Sequence, residues 1–224
     1  MSKTLEDKLN EVYSDVLKMG NLIQETVKDV LSAFVTGDVS LAQNIIDNDT
    51  RIDDFDIYIE EKCMYIQAEH QPVAGDLRFI HSIYLIVIYL ERIGDIAVSI
   101  AKLIKRLYVQ DKRPVRKEIL DILVEMGNVA QSIFDKALRS LRNRDAKLAL
   151  RLENINLTID SLQKELYQRI YSKGTHDEDY IKLVTNMSLI SRYIARIGEN
   201  SVNIGERVVY FLTGDFKVIH SDPQ

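Results

Sequence analysis

The chain repeats itself, and this repeat constrains the fold more than any other feature of the sequence. Met19-Gly20-Asn21 recurs as Met126-Gly127-Asn128. Four further pairs of identical residues are separated by the same 107 positions. They are Gln24/Gln131, Asp38/Asp145, Ile52/Ile159 and Asp53/Asp160. Near the end of each half, Arg92-Ile93-Gly94-Asp95 is echoed by Arg196-Ile197-Gly198-Glu199. A duplicated unit of roughly a hundred residues predicts two similar subdomains with a pseudo-twofold relation. A site in one half should therefore have a counterpart in the other half, with all or only some of its functional residues.

Long amphipathic helices are the predicted elements of each half. With nine Gly and three Pro in 224 residues, the composition favours long helices over a turn-rich β fold. From Val12 to Phe34 the apolar residues advance by three and four, which is typical of one helix face. Three long helices in each half, joined by short links, predict an all-α fold of two tandem pseudo-symmetric three-helix bundles, with six long helices in total.

Gly, Asp and Pro residues indicate where these helices begin and end. Thr36-Gly37-Asp38 supplies a C-terminal glycine and an N-capping aspartate, so a second helix is predicted from about residue 38, with one apolar stripe reaching Ile66. A third helix is predicted from about 74 to 108, and the second half repeats the plan, with its last helix from about 177 to 212. Asp111-Lys112-Arg113-Pro114 is predicted to link the halves, giving domains 1–110 and 111–224.

The third helix is unusual because residues 83–90 are apolar on every face. Such a helix is buried on all sides, yet a three-helix bundle covers only one of them. The remainder should pack against the other half, a second copy or a partner. The sequence leaves these alternatives open.

Bulk properties predict a soluble cytoplasmic protein. The net charge of −5 does not indicate a nucleic-acid-binding protein, because such proteins usually carry an excess of basic residues. A single cysteine, Cys63, excludes an intramolecular disulfide and is typical of a reducing compartment. The N-terminus lacks the apolar core of a signal peptide, and no apolar run approaches the ~20 residues needed to span a bilayer.

Two pairs of carboxylates are the strongest candidates for a functional site. Asp49/Asp53 and Glu91/Asp95 each have the spacing that puts both side chains on one helix face. On neighbouring antiparallel helices the two pairs would converge. Like charges at this spacing cost a few tenths of a kcal/mol per pair, and a hard cation such as Mg²⁺, Ca²⁺, Mn²⁺ or ferric iron would compensate them. The plain alternative is a solvated face, because acidic pairs at this spacing occur seven times.

The repeat distinguishes these two pairs from the others. Asp53 recurs as Asp160 and Asp95 as Glu199, whereas Asp49 becomes Asn156 and Glu91 becomes Ala195. The second-half site has lost half of its carboxylates, so we expect it to bind metal more weakly or not at all.

The motifs as a group resemble those of the PhoU family. The resemblance rests on Gln71-Pro72-Val73-Ala74-Gly75-Asp76-Leu77-Arg78 followed by Glu91-Arg92-Ile93-Gly94-Asp95, and on the second echo that begins at Arg196. It covers essentially the whole chain. It implies a cytoplasmic, often dimeric regulator that restrains phosphate-starvation signalling through a sensor histidine kinase and acts on the phosphate ABC transporter.

The resemblance also implies a metal centre. Some family members carry multinuclear clusters of iron or other metals on Glu/Asp-x-x-x-Asp motifs. Matched position by position, the ligands would be Asp49, Asp53, Glu91 and Asp95, with only Asp160 and Glu199 in the second half. Iron is the expected metal, and other hard or divalent cations are alternatives.

We therefore predict a non-enzymatic adaptor between a sensor histidine kinase and the ATPase of a phosphate ABC transporter. It would form a homodimer, reach the membrane only through its partners and bind no nucleic acid. One alternative is a carboxylate-bridged metalloenzyme, but such sites use Glu-x-x-His spacing, and no Glu here is followed by His at that distance. The other is a metal-free helical scaffold.

Overall fold

The structure, a computed structural model, describes residues 4–109, 115–171 and 177–215, and all regular elements in these ranges are α-helices. Six are long, as predicted, and two are short. In chain order they are α1 (Leu5–Thr36), α2 (Val39–Asp47), α3 (Thr50–His70), α4 (Ala74–Val109), α5 (Lys117–Asn143), α6 (Ala146–Ala149), α7 (Leu152–Tyr171) and α8 (Glu178–Thr213). The prediction of an all-α fold built from two three-helix bundles is confirmed.

The predicted caps form at equivalent places in both halves. Gly37 ends α1 with a left-handed φ of 70°, which glycine adopts without a steric cost. The Asp38 side chain then accepts a hydrogen bond from the Leu41 backbone N–H at 2.9 Å, which satisfies one free donor at the start of α2. In the second half Asp145 does the same for Leu148 at 3.0 Å. The same aspartate cap thus follows the first helix of both repeats, although the left-handed position before it holds Gly37 in one half and Arg144 in the other.

The middle helix of each half is divided, and the prediction of one continuous helix from residue 38 was wrong in this respect. In the first half the break falls at Asn48, whose side-chain amide donates to the Asn44 carbonyl at 2.7 Å. Asparagine competes in this way with the helical hydrogen bonds of the backbone. In the second half the break comes at residues 150–151, so α6 is only one turn long.

The two halves pack against each other through α1 with α5 and through α4 with α8. Their contacts are reciprocal. A Cβ on Gly20 would lie 2.6 Å from Leu138 Cδ2, and a Cβ on Gly127 would lie 2.8 Å from Leu31 Cδ2. Since Gly127 and Leu138 are the repeat equivalents of Gly20 and Leu31, the same glycine–leucine contact is made twice, as a pseudo-twofold axis requires.

Packing within and between the halves buries only part of the apolar run of α4, because Tyr84, Leu85, Ile88 and Tyr89 are just half-buried. Ile83, Ile86, Val87 and Leu90 are buried, and α4 lies along α8 of the second half as well as against α1, α2 and α3 of its own. Of the alternatives left open by the sequence, inter-half packing is therefore present, but the prediction that this run is buried on every side was wrong.

The predicted division into two domains falls in a gap between the described ranges. The predicted boundary between residues 110 and 111, and with it the linker 111–114, lies outside the described residues. Within the described ranges, no helix combines the length and apolar character needed to cross a membrane.

The reciprocal glycines predict a graded loss of stability. Gly20→Val should lower the free energy of unfolding by about 1–3 kcal/mol, because the added side chain would overpack against Leu138, which is 2% exposed. Gly127→Val should cost less, since Leu31 is only partly buried and has room to move. Urea denaturation of the purified variants measures both values.

Gly75→Val is the matched control, because nothing lies within 4 Å of a Cβ at this helical position. An equal loss of stability for Gly75 and Gly20 would contradict the proposed packing.

Candidate metal centre

A close approach between α3 and α4 positions the predicted carboxylates. A Cβ on Gly94 would lie 2.9 Å from Ile52 Cδ1, so the absence of a side chain at Gly94 lets the two helices come together at this point. Asp53 and Asp95 directly follow these two residues in the sequence. The contact thus brings one acidic pair from each helix to the same face of the bundle.

The four predicted first-half residues lie together on this face, and the structure adds two more. Asp53 and Asp95 are exposed, whereas Asp49 and Glu91 are half-buried. Asp56 and Glu60, one of the acidic pairs for which the sequence favours a plain solvated face, are also half-buried and interact with the others electrostatically. The available signal was the spacing: residues 49, 53, 56 and 60 follow one stripe of α3. We call these six residues the carboxylate patch.

Among the carboxyl groups of the patch, that of Glu91 has the pKa that departs most from its ordinary value. Burial is the largest cause, and the charges of Asp95, Asp56 and Asp53 add to it; together they raise the pKa of the Glu91 carboxyl from an ordinary 4.5 to about 7. The neighbouring Arg92 opposes this shift only in part. Near neutral pH the patch therefore holds a carboxyl that resists ionisation.

Asp49 is the patch residue that most clearly lacks a partner. Its Oδ1 atom is buried and accepts no hydrogen bond. Burial raises the pKa of its carboxyl, the charges of Asp53 and Asp95 raise it further, and Lys102 lowers it. Although Asp49 stands at the N-cap position of α3, its side chain makes no capping bond. A buried carboxylate oxygen without a donor is costly and would be satisfied by a cation.

Asp56 interacts electrostatically with Asp53 and Glu60 on its own helix and with Glu91 on α4. The pKa of its carboxyl is raised by burial first, and then by the charges of Glu60 and Asp53. The Glu60 carboxylate also receives a long hydrogen bond, 3.5 Å, from the Tyr84 hydroxyl of α4. Negative charge therefore extends continuously along the α3–α4 face.

The patch is not a preformed coordination sphere. Within residues 4–109, 115–171 and 177–215, no three His, Cys, Asp or Glu side chains are grouped closely enough to hold a metal ion. The helices bring the carboxylates to one face, and side-chain rotation would be needed to direct them at a single ion.

The second half has the same helix contact but fewer acids. A Cβ on Gly198 would lie 2.8 Å from Ile159 Cδ1, just as Gly94 meets Ile52. Asp160 and Glu199 follow these residues and are both exposed. At the position equivalent to Asp49, the Asn156 Oδ1 atom is also buried and unpaired, but it belongs to a neutral amide.

The remaining reactive side chain has a packing role. Cys63 is 2% exposed, and burial is the main cause that raises the pKa of its thiol to about 11. Because the thiolate is the nucleophile and the metal ligand, a thiol that stays protonated is a poor candidate for either role.

Comparisons with known proteins extend over nearly the whole chain. The PhoU domain model matches twice, at residues 16–104 and 123–208, which is one match in each repeat. A Clostridium acetobutylicum protein named phosphate-specific transport system accessory protein PhoU homolog is 33% identical over 213 residues, 95% of either chain.

Solved structures agree with the sequence comparison. The crystal structure of PhoU from Pseudomonas aeruginosa superposes with a TM-score of 0.87 at 32% identity, covering 95% of this chain and all of that one. The phosphate transport system regulatory protein PhoU from Streptococcus pneumoniae gives a TM-score of 0.85 at 27% identity, covering 95% of this chain and 99% of that one. With both repeats matched in sequence and in fold, the chain belongs to the PhoU family.

Proposed function

We propose that this protein is a non-enzymatic regulator of phosphate uptake and phosphate-starvation signalling. It would act in the cytoplasm as a homodimeric adaptor between a sensor histidine kinase and the ATPase of a phosphate ABC transporter, and reach the membrane through them. The observation that carries the proposal is the tandem match of both halves to the PhoU domain, since relatives matched over this length are named as accessory or regulatory proteins of phosphate transport.

We further propose that the carboxylate patch binds metal, with iron in a multinuclear cluster as the expected form and other hard cations as alternatives. Support comes from the donor set: Asp49, Asp53, Glu91 and Asp95 offer only oxygen ligands, which hard cations prefer. The buried, unpaired Oδ1 atom of Asp49 fits a cation ligand. When bound, the metal would cross-link α3 and α4 by neutralising their like charges.

The second-half residues support a weaker site. Asp160 and Glu199 provide two carboxylates, while Ala195 stands where Glu91 stands in the first half. The amide of Asn156 brings an oxygen but no charge. We therefore propose that the first-half patch is filled at lower metal concentrations than the Asp160/Glu199 site.

The adaptor would use the metal to set its docking surface. The α3–α4 face carries the patch, and a shared cation would replace the repulsion between its carboxylates by attraction and so hold the two helices together more firmly. A partner protein that binds this face would then have different affinities for the metal-bound and the metal-free protein.

The perturbed acid of Glu91 predicts a pH dependence in the metal-free protein. Its folded pKa of about 7 lies above the ordinary 4.5, so between these values the folded chain keeps a proton that the unfolded chain releases. The free energy of unfolding should therefore fall as pH rises from about 4.5 to about 7 and stay low above it. Glu91→Gln should reduce this fall, measured by urea denaturation at pH 5 and pH 8 with a chelator present.

Glu125→Gln is the control for this experiment. Asp121 and Glu125 have the same spacing on α5 but lie outside the patch, with both side chains exposed. If Glu91→Gln lost as much stability between the two pH values as the Glu125 variant and the unaltered protein, the electrostatic description of the patch would be wrong.

The regulatory role predicts complementation. Expressed in a phosphate-replete bacterium that lacks its own PhoU, this chain should restore repression of alkaline phosphatase, measured as enzyme activity per cell. The Glu91→Gln, Asp95→Asn double variant should lose this repression, because it removes two of the four first-half ligands.

An Asp121→Asn, Glu125→Gln variant is the matched control, because it also removes two carboxylates but leaves the patch intact. Equal repression by all three proteins would show that the patch has no part in signalling. Absence of repression by the soluble, folded parent chain would count against the proposed regulatory function itself.

A further inference from the structure

A cluster of cations without carboxylate partners lies in the second half of the chain, on different helices from those that carry the carboxylate patch. The end of α5, the short α6 and the turns around them carry five basic residues within residues 139–151, all exposed. These are Arg139, Arg142, Arg144, Lys147 and Arg151. We call them the cationic corner. The single acid of this stretch, Asp145, is engaged as the N-cap of α6.

The charges of the corner are not neutralised within the described part of the chain. None of the five side chains forms an ion pair with a carboxylate in these ranges. Arg142 donates to the neutral amide of Asn21 at 2.7 Å, and Arg144 lies over the Tyr13 ring, 5.2 Å from its centroid. In a chain with a net charge of −5, this corner is a concentrated source of positive potential.

The internal repeat shows that the fold does not need these charges. The equivalent corner of the first half, at the end of α1 and the start of α2, turns in the same way, with Asp38 as the cap in place of Asp145. Its five corresponding positions hold uncharged residues. These are Ser32, Val35, Gly37, Ser40 and Asn44. The cations of the second half are therefore additional to what the turn requires, which points to a role in binding.

The shape of the corner favours a surface over a small ligand. The cleft beside it, between α6, α7 and α8, has a volume of only about 20 Å³, enough for about one water molecule. Leu150, between Lys147 and Arg151, is 41% exposed at the same corner. Two carboxylates, Glu153 and Glu206, line this cleft, so the positively charged surface ends there. An exposed corner that combines spread cations with one exposed leucine suits an extended anionic surface with an apolar layer beneath it.

We propose that the cationic corner binds the anionic headgroups of a lipid bilayer. This inference goes beyond the proposed function, in which membrane contact comes only through partner proteins, and it does not depend on that function being correct. Each Lys or Arg held near an anionic bilayer strengthens binding roughly fivefold, so a few such residues suffice for reversible attachment. The Leu150 side chain would enter the headgroup region between the cations.

Vesicle sedimentation tests the proposal with the full chain. The protein should sediment with phosphatidylcholine vesicles that contain phosphatidylglycerol, and not with phosphatidylcholine alone. Raising the salt to about 0.5 M should release it, because the electrostatic attraction is then screened. The Arg139→Gln, Lys147→Gln, Arg151→Gln variant should bind roughly 100-fold more weakly. It leaves Arg142 and Arg144, with their contacts to α1, unchanged.

A second triple variant removes the same total charge elsewhere and should bind like the parent chain. Its substitutions are Lys28→Gln, Lys117→Gln and Lys164→Gln, at exposed positions of α1, α5 and α7. Equal loss of binding in the two triple variants would overturn the proposal, since net charge alone would then explain attachment. Binding of the parent chain to polyglutamate but not to anionic vesicles would also overturn it, in favour of an acidic protein partner.

Discussion

The contact between Gly94 and Ile52 determines how close α3 and α4 approach, and the character of the carboxylate patch depends on that distance. Without a side chain at Gly94 the helices meet at van der Waals separation, which leaves Asp53 and Asp95 on one face. The same closeness partly buries Glu91 and Asp49 and raises their pKa values. A stabilising packing contact and a destabilising cluster of like charges therefore occur at the same place, which is typical of binding sites.

The duplicated architecture separates the parts of that arrangement that both halves share from those that only one half has. Both halves keep the glycine–isoleucine contact, through Gly94 with Ile52 and Gly198 with Ile159. Only the first half keeps all the acids, because the second has an asparagine and an alanine at two of the positions. Likewise both halves cap the turn after their first helix with aspartate, but only the second has cations at the five positions of the cationic corner. Since the folds match, the fold does not require the unmatched charges.

Much of this could be predicted from the sequence, because local signals determine it. The caps at Gly37, Asp38 and Asp145 depend on a few neighbouring residues, and the helical spacing of Asp49/Asp53 and Glu91/Asp95 placed them on one face. The break at Asn48 was missed because the apolar stripe continues across it, while the amide competes for a backbone carbonyl. Asp56 and Glu60 were missed because their part in the patch depends on burial, which arises only when α3 packs on α4. The packing of α4 was left open because its partner α8 comes from the other half of the chain.

Metal content is the measurement that tests the account most directly. Tag-free protein, purified without chelator, should carry iron or another hard cation in stoichiometric amount by elemental analysis. An Asp53→Asn, Asp95→Asn variant, which keeps the helix contact but removes the exposed charge of the patch, should carry little. Full metal content in this variant, or no stoichiometric metal in the parent chain, would contradict the claim that the patch is a cation site and leave the metal-free scaffold as the better description.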